Sequence, residues 1–349
     1  MKNQPFKTVY LQESPPAVVI LDQTRLPGET VYRALTTPEE IHSAIVRLEV
    51  RGAPAIGVAA ALGLYVCACV AAPLVGGDSA GFRRELAVLA DNLISARPTA
   101  VNLPWAIGRM LGCLPENGAV PALVCALREE ALAILREDEK VCAAIGRFGA
   151  PLIENDTGVL THCNAGALAT AGMGTALAPV YTAFAEGRVP RVYCDETRPL
   201  LQGARLTAAE LTRAGLAPTL LCDNMAASLM AAGEIDLVLT GCDRVARNGD
   251  AANKIGTLGV AILAKHFGVP FYICAPFSTI DPATPAGAQI PIEQRDGREV
   301  TGQWYKTPMA PEGVRVYNPA FDVTPAGLIT GFITERGILR PGEIGDYTT

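Results

Sequence analysis

The spacing of hydrophobic residues changes character near residue 157. Before that point most apolar positions recur at helical spacing, and after it short apolar runs alternate with stretches long enough for a helix. The second pattern is typical of strands joined by crossover helices. The chain is therefore predicted to be an α/β protein, with a small N-terminal α+β domain at residues 1–120 and a doubly wound parallel-sheet domain at residues 121–349.

The first part of the chain reads as a short antiparallel sheet followed by helices. Residues 8–11 and 17–22 have the composition of strands separated by a proline-rich turn. Thr37 is the predicted N-cap of a helix whose apolar stripe includes Ile41 and Ile45. A long helix at residues 121–148, with one apolar face and many charges elsewhere, is predicted to link the two domains.

The segment Ala53–Val75 carries no charge over 23 residues, which is long enough to span a membrane. Its side chains are mostly those of Ala, Gly and Val, and small residues of this kind suit tight packing inside a protein. We therefore expect a buried helix of a protein that does not enter a membrane.

The second domain is predicted to contain six parallel strands. The apolar runs that predict them are residues 159–162, 191–194, 219–222, 235–239, 271–274 and 314–317. The glycine-rich fingerprint of dinucleotide-binding domains is missing after the first of these runs, so dinucleotide binding is disfavoured.

Polar side chains follow several of these strands. Cys163 comes directly after the first, and a helix beginning there would favour its thiolate. Residues 195–199 with Gln202, Asp223 with Asn224, and Asp243 follow three others. Because ligands of open α/β sheets bind at the carboxyl ends of the strands, these residues are candidates for one site. A cysteine considered alone is more often a small core residue, and Cys242 is interpreted as such.

Residues 241–257 combine charged side chains with three glycines immediately before an apolar run predicted to be a helix. Asp243, Asn253 and Lys254 supply a carboxylate, an amide and an ammonium group. Such a set facing a crevice suits a small anionic substrate.

A second candidate anion site lies at residues 51–57. Gly52 and Ala53 leave the backbone uncovered ahead of Pro54, and Arg51 adds a guanidinium beside the start of the predicted helix. An ordinary tight helix entrance explains the same residues. Arg97 begins a similar motif at residues 97–103, but by itself this motif is weak evidence for an anion site.

Composition narrows the function further. The 349 residues are 50% hydrophobic, and the net charge of -6 with no basic run argues against nucleic-acid partners. Ten cysteines without a Cys-x-x-Cys pair, and no export signal in residues 1–16, predict reduced thiols in a cytoplasmic protein without a structural zinc site.

Several motifs in order give the chain a family resemblance. They occupy residues 51–57, 161–166, 195–206, 243–257, 310–313 and 318–325. Together they resemble the methylthioribose-1-phosphate isomerases of methionine salvage over nearly the whole chain. The same superfamily includes ribose-1,5-bisphosphate isomerases and the regulatory subunits of the eukaryotic initiation factor exchange complex.

This resemblance implies a small N-terminal domain, a Rossmann-like second domain and a homodimer. No metal or other cofactor is expected, because Arg51, Arg97 and Lys254 together with exposed amides can neutralise the phosphate. The resemblance also implies that Cys163 and Asp243 are the catalytic pair. The substrate-binding residues it implies are Arg51, Gly52, Ala53, Arg97, Gln202, Asn253 and Lys254. Cys242, Arg247 and residues 302–309 depart from the family pattern, which leaves substrate preference open.

The implied chemistry has two routes. A furanose esterified at its anomeric oxygen cannot open to a free aldehyde, so Asp243, kept protonated in a closed apolar site, is expected to protonate the ring oxygen. Hydrogen then moves from the second carbon to the first, either as a proton with Cys163 as base or acid, or as a hydride with Cys163 only stabilising charge. Isomerases of 5-deoxyribose 1-phosphate or ribose 1,5-bisphosphate, and a non-catalytic regulatory protein, are the alternatives.

Overall fold

The computed structural model describes residues 6–97 and 101–348. The chain forms two compact units. The N-terminal unit contains the described residues up to Ala143 together with Ala165–Gly174, and the C-terminal unit contains Ala144–Asn164 and the residues from Thr175 onward. The unit division falls inside the long helix, and the domain boundary after residue 120 stays a prediction.

A three-stranded antiparallel sheet opens the N-terminal unit. Its strands are β1 (Val9–Glu13), β2 (Pro16–Leu21) and β3 (Tyr32–Leu35), with β2 in the centre. The sequence predicted the first two. It missed β3, since only Leu35 of that strand is buried and the apolar signal is correspondingly weak.

Five α-helices follow in the described part of this unit. They are α1 (Pro38–Val46), α2 (Ala53–Ala71), α3 (Ser79–Ser95), α4 (Asn102–Gly112) and α5 (Val120–Gly149). Thr37 caps α1 as predicted, because its hydroxyl accepts from the Glu40 N–H while the Glu40 carboxylate accepts from the Thr37 N–H.

Helix α2 is the core of the N-terminal unit. By length and composition the segment Ala53–Val75 is apolar enough to cross a membrane, and about two thirds of its most apolar window is buried inside the protein. A side chain at Gly57 would stand 3.0 Å from the Asn102 carbonyl oxygen, and one at Gly63 would stand 2.9 Å from Ile41. The small residues of α2 therefore permit the close packing that the sequence predicted.

The segment Ala165–Gly174 is tied into the N-terminal unit by side chains from the start of the chain. The Thr8 hydroxyl donates to the Ala167 carbonyl at 2.6 Å, and the Gln23 amide donates to the Leu168 carbonyl at 2.7 Å. Asp138 on α5 accepts from the Ala171 N–H at 2.6 Å. Three distant parts of the sequence thus hold one short segment.

The C-terminal unit contains the remaining strands and helices. Its strands are β4 (Gly158–Thr161), β5 (Arg191–Asp195), β6 (Thr219–Leu221), β7 (Leu237–Thr240), β8 (Arg244–Ala246), β9 (Ala251–Lys254), β10 (Phe271–Cys274), β11 (Ile280–Asp281), β12 (Phe321–Thr324), β13 (Gly331–Thr334) and β14 (Gly337–Leu339). Its helices are α6 (Ala178–Ala185), α7 (Ala208–Ala214), α8 (Ala226–Ala231), α9 (Thr257–Phe267) and α10 (Arg298–Thr301).

Seven of these strands form the main sheet, in the order β14-β13-β10-β7-β4-β5-β6. All neighbours are parallel except β13 and β14. From β4 the chain proceeds to β5 and β6 on one side, then returns to place β7, β10 and β13 on the other. The predicted doubly wound parallel sheet is confirmed, and its topological switch point lies between β4 and β7.

One predicted strand is wrong. Residues 314–317 form no strand, and the exposed fractions of Val314 and Tyr317 are 49% and 84%. The sixth parallel strand is β13, whose four residues are all buried. Branched and aromatic residues at 314–317 imitate a strand, but without burial they have no sheet to join.

The C-terminal unit contains a second sheet, formed by residues for which the sequence predicted no strand. Its order is β11-β8-β9-β12, with β9 antiparallel to both β8 and β12. Asn253 and Lys254 therefore lie on a strand. The predicted helix after them is confirmed as α9.

Candidate active site

Cys163 and Asp243 follow the two strands that flank the switch point. Strands β4 and β7 are paired in parallel, with Val159 opposite Leu237 and Leu160 opposite Val238. Cys163 comes two residues after β4 ends, and Asp243 comes three residues after β7 ends. In doubly wound sheets this is the edge at which ligands bind.

The backbone of Cys163 is held in an unusual conformation. Its φ is 66°, in the left-handed region that residues other than glycine rarely adopt. The Cys163 N–H donates to the Thr197 hydroxyl at 2.8 Å, and the Cys163 carbonyl accepts from the Thr207 hydroxyl at 2.7 Å. These two threonines fix the turn, in which the cysteine is 9% exposed.

The helix predicted to begin at Cys163 is not formed. The cysteine is followed by a turn and a three-residue 3-10 helix at Ala167–Ala169, and α6 begins only at Ala178. A helix N-terminus therefore does not favour the thiolate at this position. The small residues that predicted a helix serve the close approach of backbone segments instead, as where Gly166 pairs with Gly174.

The ends of β4, β5 and β6 are joined by hydrogen bonds. Thr197, which binds Cys163, also has a left-handed φ of 64°. The N–H groups of Thr197 and Arg198 both donate to the Asp223 carboxylate, each at 2.7 Å. Asp223 therefore shapes the turn after β5, as expected for polar residues that leave one edge of the sheet.

His162 lies beneath this edge and is 1% exposed. Its Nδ1 lies 2.9 Å from Asp195 Oδ2, and its Nε2 lies 2.8 Å from the Ile255 carbonyl oxygen. Burial by itself would lower the pKa of His162, but the hydrogen bond and negative charge of Asp195 outweigh it, and the pKa is raised. Burial raises the pKa of Asp195, against the lowering effect of His162.

Side-chain ligand atoms of His162, Asp195 and Asp223 lie within 4.8 Å of one another, a spacing that can hold a metal ion. The donor set argues for a hydrogen-bond network instead. Both oxygens of Asp223 accept backbone N–H groups, and both nitrogens of His162 have protein partners. A metal would have to replace these bonds.

Asp243 lies in the turn between β7 and β8 and is half-buried. Its N–H donates to the Ala252 carbonyl at 2.9 Å, which joins the turn to β9. The neighbouring Cys242 thiol donates to the carbonyls of Arg244 and Ala252 at 3.1 and 3.2 Å. These bonds give Cys242 a structural environment, in agreement with its interpretation as a packing residue.

Asn253 and Lys254 are both buried on β9. The Asn253 amide donates to the Thr257 hydroxyl at 3.0 Å. The Lys254 ammonium donates to the Ala320 carbonyl at 2.9 Å and lies 4.7 Å from the centre of the Phe321 ring. Successive side chains of a strand point to opposite faces, so these two polar groups have separate environments. Their substrate-binding roles stay predictions.

The N-terminus of α9 already holds an anion, the carboxylate of Asp322. It accepts from the Gly256 N–H at 2.8 Å and from the Leu258 N–H at 3.1 Å. Burial raises the pKa of Asp322, although these two hydrogen bonds oppose the shift. The backbone groups that would otherwise attract a phosphate at this helix are therefore in use.

Gln202 offers an unsatisfied acceptor. It is 6% exposed, and its Oε1 is buried with no hydrogen-bond partner in the described part of the chain. The π-helix Gly203–Thr207 begins directly after it. This oxygen is open to a hydrogen-bond donor from outside the described part of the protein, such as a bound molecule.

Residues 300–305 pack on the turn that carries Gln202, a contact the sequence did not predict. The Trp304 indole N–H donates to the Pro199 carbonyl at 2.7 Å, and the Arg205 guanidinium lies 4.6 Å from the centre of a Trp304 ring. The guanidinium of Arg198 donates to the Val300 carbonyl at 2.7 Å. The available signal was a tryptophan and a tyrosine in an otherwise polar segment.

The remaining predicted ligands lie in the N-terminal unit. Arg51 is buried, and its Nε donates to the Gln23 side-chain oxygen at 3.1 Å. Gly52 caps α2 with a φ of 91°, and a side chain there would stand 2.6 Å from the Ala169 backbone. Ala53 is the first residue of α2. The glycine is thus explained by close packing, and anion binding by these residues stays a prediction.

Arg97 follows α3 and is half-buried. Residues 98–100 of its motif lie outside the described residues, as do residues 1–5 of the segment searched for an export signal. The substrate-binding role of Arg97 stays a prediction.

The fold and the site define an α/β protein with a Rossmann-like sheet, in which a cysteine and an aspartate follow the two adjacent strands at the switch point. The chain belongs to the initiation factor 2 subunit family, whose sequence profile matches residues 49–341.

Two curated relatives and a crystal structure refine this assignment. The chain is 57% identical over 338 residues to methylthioribose-1-phosphate isomerase of Symbiobacterium thermophilum, covering 95% of this chain and 92% of the relative. It is 54% identical over 326 residues to 5-deoxyribose 1-phosphate isomerase of Moorella thermoacetica, covering 93% and 92%. The structure of 5-methylthioribose 1-phosphate isomerase from Pyrococcus horikoshii superposes with a TM-score of 0.88 at 38% identity, covering 99% of this chain and 96% of that one.

Proposed function

We propose that this chain is an aldose–ketose isomerase that converts 5-methylthioribose 1-phosphate to 5-methylthioribulose 1-phosphate in methionine salvage. One observation carries the proposal: Cys163 and Asp243 follow the two strands that flank the switch point of the sheet. The close relatives that bear this name support it.

In the proposed reaction Asp243 donates a proton to the ring oxygen as the bond between that oxygen and the anomeric carbon breaks. The hydrogen on the second carbon then moves to the first carbon. The hydroxyl on the second carbon loses its proton and becomes the ketone, and this released proton balances the one that Asp243 donated. Cys163 either carries the hydrogen as a proton, leaving an enol between the two transfers, or stabilises charge while it crosses as a hydride. Both routes give the same isomer.

The proposed binding residues are those that the family resemblance implies. The unsatisfied oxygen of Gln202 supports a role as acceptor for a sugar hydroxyl. Arg51, Gly52, Ala53, Arg97, Asn253 and Lys254 are proposed phosphate and sugar ligands. Because Asp322 fills the N-terminus of α9, we do not assign the phosphate to that helix. A cytoplasmic homodimer without a cofactor completes the proposal.

A second candidate substrate is 5-deoxyribose 1-phosphate, which lacks the methylthio group at the fifth carbon. The observation that favours it is the 54% identity to a relative named for this substrate. Ring opening and hydrogen transfer are the same for both sugars. The preference therefore depends on the space around the fifth carbon.

The test is the kcat/KM of the purified protein on 5-methylthioribose 1-phosphate, 5-deoxyribose 1-phosphate and ribose 1,5-bisphosphate, with the ketose products identified by NMR. A preference for the methylthio sugar supports the main proposal, and similar values for the first two sugars support a broader role. Folded protein that turns over none of the three would overturn the isomerase assignment and favour the regulatory alternative.

A further inference from the structure

The His162 ring has no free position for a substrate. A carbonyl oxygen only accepts, so Nε2 carries the hydrogen that bonds to Ile255, while Nδ1 faces the Asp195 carboxylate. The ring is almost completely buried. His162 is therefore unable to act as a general acid or base on a bound sugar without first breaking these bonds.

The two partners of the ring belong to elements that carry other site residues. Asp195 ends β5 and comes two residues before Thr197, which binds the Cys163 backbone. Ile255 directly follows β9, the strand of Asn253 and Lys254. Since His162 is itself next to Cys163 in the chain, one imidazole connects three segments at the carboxyl edge of the sheet.

The neighbouring backbone is shaped around this ring. Gly256, the residue after Ile255, has a φ of 105°, and a side chain there would stand 2.7 Å from the imidazole Cε1. Glycine is required for both reasons, because no other residue has both the backbone freedom and the space. The turn into α9 thus leaves space for the Cε1 and Nε2 atoms of the His162 ring.

The acidic groups that face His162 are Asp195, Asp223 and Asp322. Asp223 and Asp322 have backbone N–H partners of their own. Asp195 differs, because its Oδ1 is buried without a partner among the described residues and its Oδ2 bonds to His162. Loss of the imidazole would leave a buried carboxylate with no side-chain partner, a costly state in a protein interior.

We propose that His162 is a positioning residue for Cys163: its imidazole, fixed between Asp195 and Ile255, sets where the left-handed turn lies relative to β9. The ring acts through hydrogen bonds to the protein and does not touch the substrate. The kinetic test of this inference rests on the proposed function. The test therefore also includes two measurements that need no substrate.

The first measurement is NMR of protein labelled with ¹⁵N at histidine. The chain has three histidines, His42, His162 and His266, so the spectrum can be assigned by single substitutions. We expect the ring N–H signals of His162 to exchange slowly with solvent, because the ring is buried and both of its nitrogens have protein partners. The Asp195→Asn variant should lose the downfield Nδ1 signal. Ring N–H signals of His162 that exchange as fast as those of the exposed His266 would overturn the proposal.

The second measurement is the rate at which iodoacetamide alkylates Cys163, followed by mass spectrometry of the peptide, with the exposed Cys222 as internal reference. In His162→Gln the turn should loosen, and alkylation of Cys163 should change several-fold while that of Cys222 does not. His266→Gln, on the exposed side of α9, is the matched control and should leave both rates unchanged.

The kinetic test uses the same variants. In His162→Gln we expect kcat to fall by about 10- to 100-fold, the usual result of misplacing a catalytic group, with a smaller change in KM. If His162→Gln does not fold, Asp195→Asn carries the test. Wild-type kcat and alkylation in a folded His162→Gln would overturn the positioning role. Inactive wild-type protein would instead overturn the proposed function. The NMR and alkylation measurements would still test the positioning role of His162, because neither needs a substrate.

Discussion

The N–H of Cys163 donates to the hydroxyl of Thr197 at 2.8 Å, and both residues have left-handed backbone, with φ of 66° and 64°. Two non-glycine residues in this region, on neighbouring strand ends, are an uncommon pairing. Such conformations cost on the order of 1–3 kcal/mol each and persist only where surrounding contacts enforce them. Here those contacts are the carboxylate of Asp223 and the hydroxyl of Thr207.

Replacing Thr197 tests this relationship. Thr197→Val keeps the shape but leaves the buried Cys163 N–H without its acceptor, so we expect the free energy of unfolding to fall by about 1–3 kcal/mol. Thr197→Ser keeps the hydroxyl and is the matched control, expected to lose much less. Urea unfolding measures both. Equal losses in the two variants would show that the hydroxyl is not the cause.

The proposed catalytic roles of Asp243 and Cys163 give a direct prediction. Asp243→Asn removes the proposed acid and should lower kcat by about two to four powers of ten. Cys163→Ser should also lower kcat strongly, since a hydroxyl is far less acidic and polarizable than a thiol. Asp91→Asn and Cys125→Ser, at exposed positions, are the controls and should retain activity. Near wild-type turnover in folded Asp243→Asn would exclude the acid role.

Asp322 is predicted to stabilise the start of α9. Asp322→Ala removes the acceptor for two backbone N–H groups and should lower the free energy of unfolding by about 0.5–2 kcal/mol, the usual effect of losing a helix cap. Asp91→Ala, inside α3 and exposed, should have a much smaller effect. Thermal and urea unfolding of both variants check this, and similar losses would contradict the capping role.

Asp138 is predicted to make stability depend on pH. Burial raises the pKa of Asp138 to about 6, against the lowering effect of hydrogen bonds from Ala171 and Gly172. The folded protein therefore binds a proton at a pH where the unfolded chain has released it. The contribution of this group to stability is full below its unfolded pKa and is lost as the pH rises through about 6.

The expected result is a gain on the order of 1 kcal/mol in the free energy of unfolding as the pH falls from about 7.5 to about 5, relative to Asp138→Asn. The asparagine keeps an oxygen that can accept from the Ala171 N–H but does not titrate, so it is the matched control. Parallel pH profiles for the two proteins would show that Asp138 is ionised throughout.

Trp304 is predicted to support the turn that carries Gln202. Trp304→Phe loses the indole bond to the Pro199 carbonyl, worth about 1 kcal/mol, so KM for the sugar phosphate should rise about fivefold with little change in kcat. Trp105→Phe, at a position 43% exposed on α4, is the control. Steady-state kinetics of the two variants decide the matter. An unchanged KM in Trp304→Phe would show that the packing of residues 300–305 does not affect substrate binding.

The sequence predicted the parts of the site that depend on local pattern. Cys163 and Asp243 follow continuous apolar runs, and such runs mark buried parallel strands whose carboxyl ends share an edge. It missed β8 and β9, because the residues of β9, Ala251–Lys254, have neither the branched side chains nor the alternation of a strand. That strand exists because β8 and β12 pair with it.

Hydrogen-bond partners that lie far apart in the chain could not be predicted from the sequence either. His162 and Asp195 are 33 residues apart, and His162 and Ile255 are 93 apart, so no spacing rule joins them. Val314 and Val316 show the opposite failure, since branched residues predicted a strand at a position where no neighbouring strand is paired. In both cases the tertiary contact, and not the local preference, decides the outcome.

The hydrogen bond from Thr8 to Ala167 spans 159 residues, and the one from Gln23 to Leu168 spans 145. During synthesis on the ribosome, the N-terminal unit therefore cannot complete its contacts when its last helix emerges. These contacts can form only after residues 165–174, which follow Cys163 in the chain, have been synthesised. A gene truncated after residue 143 would encode a unit that lacks these partners for Thr8 and Gln23, which flank its first two strands.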